Sequence, residues 1–218
     1  MPDPNNIIDI PTKTAWLCVP KAANGAVKRA LLEWNRIVPP NDQYGLHNHP
    51  SFRFASTEAI AYQFSHYERI AFCRNPWDRL VSCWNDTCHR EGFWESIPMW
   101  KMRTGMSFEE FLFVACNQKD HEQNIHYRSL SALMCWNEKP AFDLLVKFER
   151  LDDGWRKVQK KYPTLPSLTR TNVTQHKPWQ EYYTKKMFAD VAYRYAADII
   201  RFGYSDELSK LSELAEVA

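Results

Sequence analysis

TAWLCVPKAANGAVKRALLEWNR, residues 14–36, decides the fold. Thr14 to Val19 form a short apolar run bounded by Pro20, which reads as a buried strand. The next residues, Pro20 to Gly25, are small or turn-forming apart from Lys21. The spacing then changes, and Val27, Ala30, Leu31 and Trp34 fall on one face of a helix. A strand, a loop of small residues and a helix start bring unpaired helix N–H groups to the end of a strand. Small side chains let such groups approach an anion, and Lys21 adds a mobile positive charge. The same residues also read as a plain strand-to-helix turn with a solvated lysine. The pattern G-x-x-x-x-G-K-[ST] is absent, which removes the ordinary nucleoside triphosphatase loop.

The same alternation repeats along the chain. ERIAFC (68–73) is a second strand, and Arg74-Asn75-Pro76 breaks it. Pro76 fits the first turn of the next helix, WDRLVSCWNDTCH. FDLLVKF (142–148) is a third strand, followed by a helix over about 151–162. STEAIAYQF is a short capped helix, and Ser107 with Glu110 makes a capping box ahead of FEEFLFVAC. TKKMFADVAYRYAADIIRFG reads as one amphipathic helix closed by Gly203, and Leu208, Leu211 and Leu214 continue at helical spacing. Residues 37–55 and 163–178 read as loops. Strands alternating with helices predict a largely parallel sheet flanked by helices. Ligands of such sheets gather at the carboxyl ends of strands, where PKAANG and RNPWDR both lie. No repeat or linker divides the chain, so a single domain over 1–218 is expected, with a core over about 14–205 and a tail over 206–218.

The chain has 218 residues, 44% hydrophobic and 25% charged, with a net charge of +2, as in an ordinary globular protein. So small a basic excess argues against a nucleic-acid partner. Six cysteines include no C-x-x-C pair, and Cys18 and Cys73 in apolar runs read as small buried hydrophobes. No basic segment followed by an apolar one marks a signal peptide, and no apolar run is long enough to span a bilayer. The expected compartment is the cytoplasm, with a luminal domain trimmed of its anchor as the alternative.

The second constellation is Arg74-Asn75-Pro76-Trp77-Asp78-Arg79-Leu80-Val81-Ser82. Arg74 ends a strand and can grip an anion with two N–H groups, while Ser82 can donate one hydrogen bond. A helix-capping arrangement of Asp78 and Arg79 is the other reading of these residues.

Together the two segments resemble the membrane-bound carbohydrate sulfotransferases and their bacterial relatives. VPKAANGAVKR resembles that family's 5′-phosphosulfate loop, and RIAFCRNPWDRLVS resembles its 3′-phosphate motif, an Arg followed eight positions later by Ser. NIHYRSLSAL, FDLLVKFERLDD and YYTKKMFADVAYRYAADIIRFGY resemble later family segments in the right order, so the likeness runs from about residue 14 to 205. It implies a P-loop-like three-layer α/β fold with a mostly parallel central sheet flanked by helices. It implies 3′-phosphoadenosine-5′-phosphosulfate as co-substrate, no metal, and a carbohydrate or other hydroxyl acceptor. The 5′-phosphosulfate falls to Lys21, Ala22, Ala23, Asn24, Gly25 and Ala26, and the 3′-phosphate to Arg74 and Ser82. Where the family carries a hydroxyl residue near the helix start, this chain has Gly25 and Ala26, leaving Asn24 or the backbone amides as donors. Leu130 stands where the family has Gln.

His47 and His49 lie between the two phosphate segments, and histidine suits proton removal near neutral pH. The stretch resembles H-G-H-V of the uronyl 2-O-sulfotransferases, which implies a catalytic base. In an extended loop the two rings would point the same way, and Pro50 beside His49 favours His49. A pair of polar loop histidines is the alternative, and H-x-H without a third ligand makes a metal site the weakest reading. Phe93, Trp94 and Trp100 read as core or as a sugar platform. His121, Glu122 and His126 read as a polar helix edge or a second cluster, and Arg170 and Lys177 as loop cations able to close over a nucleotide. Two other functions remain open: a nucleotide-dependent kinase, and a non-catalytic protein that binds adenosine bisphosphate and regulates a partner.

Overall fold

The computed structural model describes residues 6–89, 101–169 and 177–214. The chain forms two compact units, Met1–Arg74 with Leu133–Thr174, and Asn75–Ala132 with Gln175–Ala218.

The first unit is built on a five-stranded sheet of β1 (Ile7–Asp9), β2 (Thr14–Leu17), β3 (Arg53–Phe54), β4 (Glu68–Cys73) and β7 (Leu144–Lys147), in the order β3-β1-β2-β4-β7. β2 pairs parallel with β4, and β4 with β7. β1 pairs antiparallel with both β2 and β3. Only β1 therefore runs against the other four strands, and the sheet is the mostly parallel one expected. The sequence hides β1 because its apolar run is three residues long and Pro11 follows at once. A turn held by the Asp9 carboxylate, which accepts the Thr12 amide at 3.2 Å, folds β1 onto β2.

Helices α1 (Asn24–Trp34), α2 (Gln43–His47), α3 (Thr57–Tyr62) and α7 (Leu151–Lys161) complete this unit, with a short hairpin of β5 (Cys135–Trp136) and β6 (Lys139–Pro140). One face of the sheet carries an aromatic core. Trp16 of β2 lies 6.4 Å from Phe72 of β4 and 5.9 Å from Trp155 of α7, and Trp34 of α1 meets Trp16 edge-on at 6.4 Å. The Trp155 indole N–H is satisfied by the Pro166 carbonyl at 2.9 Å. α7 approaches β7 so closely that a methyl group on Gly154 would meet Val146 Cγ1 at 2.5 Å, so only glycine fits there. At the amino end of the parallel strands the Asp143 carboxylate accepts the Arg69 Nε–H and the Arg69 backbone N–H, both at 3.0 Å, pinning the register of β4 on β7. The predicted loop over 37–55 contains α2 and β3. The Asp42 side chain caps α2 by accepting the Gly45 amide at 2.6 Å.

The second unit is helical: α4 (Pro76–Thr87), α5 (Phe108–Asn117), α8 (Lys185–Arg194) and α9 (Ala196–Arg201), with α6 (Leu130–Met134) beginning in it. Asn75 caps α4 by accepting the Trp77 and Asp78 amides at 3.0 and 3.4 Å, and Pro76 fills the first turn. Ser107 and Glu110 form the expected capping box of α5. Trp77 stacks on Phe188 at 4.4 Å, and its indole donates to the Phe188 carbonyl. The predicted long helix is two helices. The chain turns at Tyr195, whose buried hydroxyl donates to the Tyr127 carbonyl at 2.7 Å. Gly203, at φ 69°, closes α9 as expected. The following tail, Ser205–Glu213, winds as a 3₁₀ helix.

Candidate functional site

β2 runs through buried Cys18 and Val19 into the loop that leads to α1. Two residues of that loop, Lys21 at φ 68° and Ala23 at φ 62°, are left-handed without being glycine. Each such residue costs about 1–2 kcal/mol, so the conformation persists only because the surroundings impose it. A loop of this kind turns successive N–H groups toward one concavity, which suits an anion. The Ala22 amide returns to the Val19 carbonyl at 3.3 Å, and the first helical bond of α1 runs from Val27 N–H to Ala23 C=O at 3.0 Å. The amides of Asn24, Gly25 and Ala26 therefore precede the ladder and face out of the positive end of the helix dipole. Gly25 has an ordinary backbone, and a side chain there would first meet Leu46 Cδ2, at 3.9 Å from its Cβ.

Arg74 leaves β4 beside this loop because β2 and β4 are parallel neighbours in the sheet. Its guanidinium is buried, and Nη1 donates to the Lys21 carbonyl at 3.1 Å. The two predicted phosphate segments thus meet through a direct hydrogen bond. The Arg74 Cζ also stands 4.3 Å from the ring centre of Phe148, the residue that follows β7. Three adjacent parallel strands supply the Lys21 loop, Arg74 and Phe148 to one carboxyl rim. Ser82 belongs to the second unit, buried in the second turn of α4.

The histidine segment rests on α1. Leu46 lies against Gly25, and the Lys28 ammonium donates to the His47 carbonyl at 3.2 Å. His47 ends α2, so the two histidines are not alternate residues of an extended loop, as their spacing had suggested. His47 Nε2 lies 3.2 Å from Gln43 Oε1, one turn earlier. His49 is half-buried, edge-on to Phe52 at 6.0 Å, and its Nδ1 accepts the Ser51 amide at 3.3 Å. A neutral ring that accepts at Nδ1 carries its proton on Nε2. Base chemistry at Nε2 therefore requires the ring to give up the long contact to Ser51.

Lys28 carries no signal in the sequence, being one of several polar residues on an amphipathic helix, yet it is fully buried. Its Nζ stands 5.3 and 5.8 Å from the ring centres of Phe54 and Phe52. Burial lowers its pKa to about 8, and the same burial pushes the Cys18 thiol up to about 12, the nearby ammonium opposing that rise. Phe148 likewise carries no signal of its own in the sequence, although its place beside Arg74 follows directly from the pairing of β4 with β7.

Other residues singled out in the sequence make contacts within their own segments or to nearby carbonyls. Arg79 is buried, donating to the Arg128 and Ile125 carbonyls at 2.7 and 3.0 Å, while Asn75 is the cap of α4. His126 bonds Asn124, and His121 is exposed on a separate 3₁₀ turn. Glu122 accepts the Lys119 amide at 2.8 Å. Lys177 lies 3.7 Å from Glu181, and Arg170, Phe93, Trp94 and Trp100 fall outside the described residues. Among the described residues no group of three or more His, Cys, Asp or Glu side chains is placed to hold a metal ion, and no helix is long and apolar enough to cross a membrane. A cavity of about 440 Å³ beside β1, lined by Ile7, Leu31, Asn35 and Phe52 among others, contains none of the predicted site residues.

A mostly parallel sheet whose first parallel strand runs through a strained loop into a helix N-terminus defines the P-loop-like α/β class. Within that class, the chain belongs to the sulfotransferase family, whose model matches residues 5–205. It is accordingly a transferase of sulfuryl groups. Comparison with curated proteins and with solved structures gave no match.

Proposed function

We propose that the protein transfers a sulfuryl group from 3′-phosphoadenosine-5′-phosphosulfate to a hydroxyl of a carbohydrate acceptor. The observation that carries the reading is the hydrogen bond from Arg74 Nη1 to the Lys21 carbonyl. It joins a loop suited to one phosphate to a buried guanidinium suited to a second. A donor with phosphates at both ends of its ribose matches two such sites better than a nucleoside triphosphate does. The family match over 5–205 supports treating residues 1–218 as one sulfotransferase domain.

Amides from Ala23 to Ala26 hold the 5′-phosphate, the Ala22 amide being turned back to the Val19 carbonyl, and Lys21 neutralises the charge that grows on its leaving oxygen. Arg74 and Ser82 hold the 3′-phosphate, the role of Ser82 resting on the sequence pattern. The acceptor oxygen bonds to sulfur as the bond from sulfur to the 5′-phosphate oxygen breaks, and the electron pair leaves with that phosphate. His49, with His47 as the alternative, takes the acceptor proton. Positioning and electrostatics supply most of the rate, as in phosphoryl transfer.

The test is an acceptor screen with sulfur-labelled donor, run with and without Mg²⁺ and with ATP as a competing donor. Label transfer to a saccharide, independent of Mg²⁺, supports the reading. Phosphoryl transfer from ATP that requires Mg²⁺ replaces it with a kinase. Tight binding of adenosine 3′,5′-bisphosphate with no transfer across the panel replaces it with a regulatory binding protein.

A further inference from the structure

The ring that stands against Arg74 comes from the residue that follows a third strand, β7. Cys73 pairs with Lys147 in the parallel ladder, so the next residues out of the sheet are Arg74 and Phe148. The register alone brings them side by side, and the guanidinium carbon settles 4.3 Å from the ring centre. A guanidinium carries all five N–H groups in its plane, so stacking on a ring consumes none of them. Nη1 is directed to the Lys21 carbonyl at 3.1 Å, which sets the rotation of the plane about its axis. The Phe148 ring covers one side of the guanidinium carbon. Ring and carbonyl together hold a buried cation in one orientation, and a bidentate grip on phosphate depends on that orientation.

We infer that Phe148 is the positioning residue that gives this site its preference for a ligand with a second phosphate. The inference rests on the reading of Arg74 as the 3′-phosphate contact and assigns the discrimination to an aromatic residue that touches no phosphate itself. An attraction between a desolvated cation and a ring is worth about 0.5–2 kcal/mol, or roughly 2- to 30-fold in affinity.

The experiment is calorimetric titration of adenosine 3′,5′-bisphosphate and of adenosine 5′-monophosphate into the wild type, Phe148→Leu, Phe148→Tyr and Arg74→Ala. Phe148→Leu is expected to lower bisphosphate affinity by about 2- to 30-fold and to leave monophosphate affinity unchanged. Phe148→Tyr, which keeps the ring face, is expected to bind both ligands as the wild type does. If Phe148→Leu does not fold, Phe148→Met fills the same space without a ring and carries the same comparison. A Leu or Met variant that loses affinity equally for both ligands makes Phe148 a packing residue and overturns the inference. So does one that keeps the wild-type ratio while Arg74→Ala loses it. An unchanged ratio in Arg74→Ala overturns the underlying reading of Arg74 instead.

Discussion

Lys28→Met keeps an unbranched chain at the buried position and removes its charge. Burial brings the lysine from an ordinary 10.5 to about 8. A cation whose folded pKa lies below its unfolded one is held more tightly by the unfolded chain, so stability rises with pH while the folded state loses that proton. The rise begins near pH 8 and ends near the ordinary value. Below about 8 the whole cost of burying the charge is present, and the gap between 10.5 and about 8 corresponds to about 3 kcal/mol. About 1 kcal/mol of it is relieved between pH 7 and pH 9. The Cys18 thiol, raised from 9.0 to about 12, acts in the opposite direction once unfolded thiols ionise above pH 9, which sets the upper limit of a clean measurement. Urea unfolding of wild type and Lys28→Met at pH 7, 8 and 9 isolates the lysine, because contributions shared by both chains cancel. The wild type is expected to gain about 1 kcal/mol relative to the variant across that range. A constant difference would mean that the His47 carbonyl and the two phenylalanine rings hold the ammonium charged up to pH 9, refuting the balance in which burial dominates.

Lys21→Ala is expected to lower turnover by about 10²–10³ at saturating donor, since in the proposed reaction the ammonium acts on charge that appears only in the transition state; single-turnover rates with labelled donor measure this, and near-normal turnover removes Lys21 from the chemistry. His49→Ala is expected to cost about 10²–10⁴ in turnover, with donor affinity intact and the acid limb of the pH–rate profile flattened. His47→Ala is expected to cost less, and an unaltered acid limb in both variants takes the segment out of the mechanism. Gly25→Ser restores the hydroxyl usual at the helix start, in a space where the nearest atom lies 3.9 Å from the new Cβ. Affinity for adenosine 3′,5′-bisphosphate should rise by about 3- to 10-fold, and an unchanged dissociation constant would mean the loop amides already satisfy the phosphate.

The parallel strands, the helices that follow them and the two strand-to-helix segments at their carboxyl ends were legible because each is marked by a change of period. Apolar runs end at Pro20 and at Arg74, and helical spacing begins within a few residues. What stayed hidden depends on contacts between residues far apart in sequence. β1 exists because three residues find an edge of β2, and β3 because two residues find β1. The break at Tyr195 follows from a phenol anchored at Tyr127, 68 residues earlier, and nothing in the helical spacing marks it. The histidines were readable as a pair but not in their orientation, since the helix that His47 ends is only five residues long. Lys28 was invisible as a buried residue because lysine in an amphipathic helix reads as a solvated side chain until the segment over 47–54 covers it. Phe148 reads as the end of a strand until the register sets it opposite Arg74.

The ladder between β4 and β7 also bears on the order in which the molecule assembles. β1 and β2 are joined by four residues and can pair as soon as both leave the ribosome. Cys73 and Lys147 are partners separated by 74 positions (147 − 73), and residues 75–132 of the second unit intervene in the chain. Closing a loop of that length costs about 2.6 kcal/mol more than closing the four-residue turn, because the penalty grows with the logarithm of length. β7 therefore joins late, and until it does the carboxyl end of β4 has no neighbour on that side. An emerging chain that stops short of residue 144 carries the Lys21 loop and Arg74 beside an open strand edge, which makes that interval the one most exposed to mispairing with another chain.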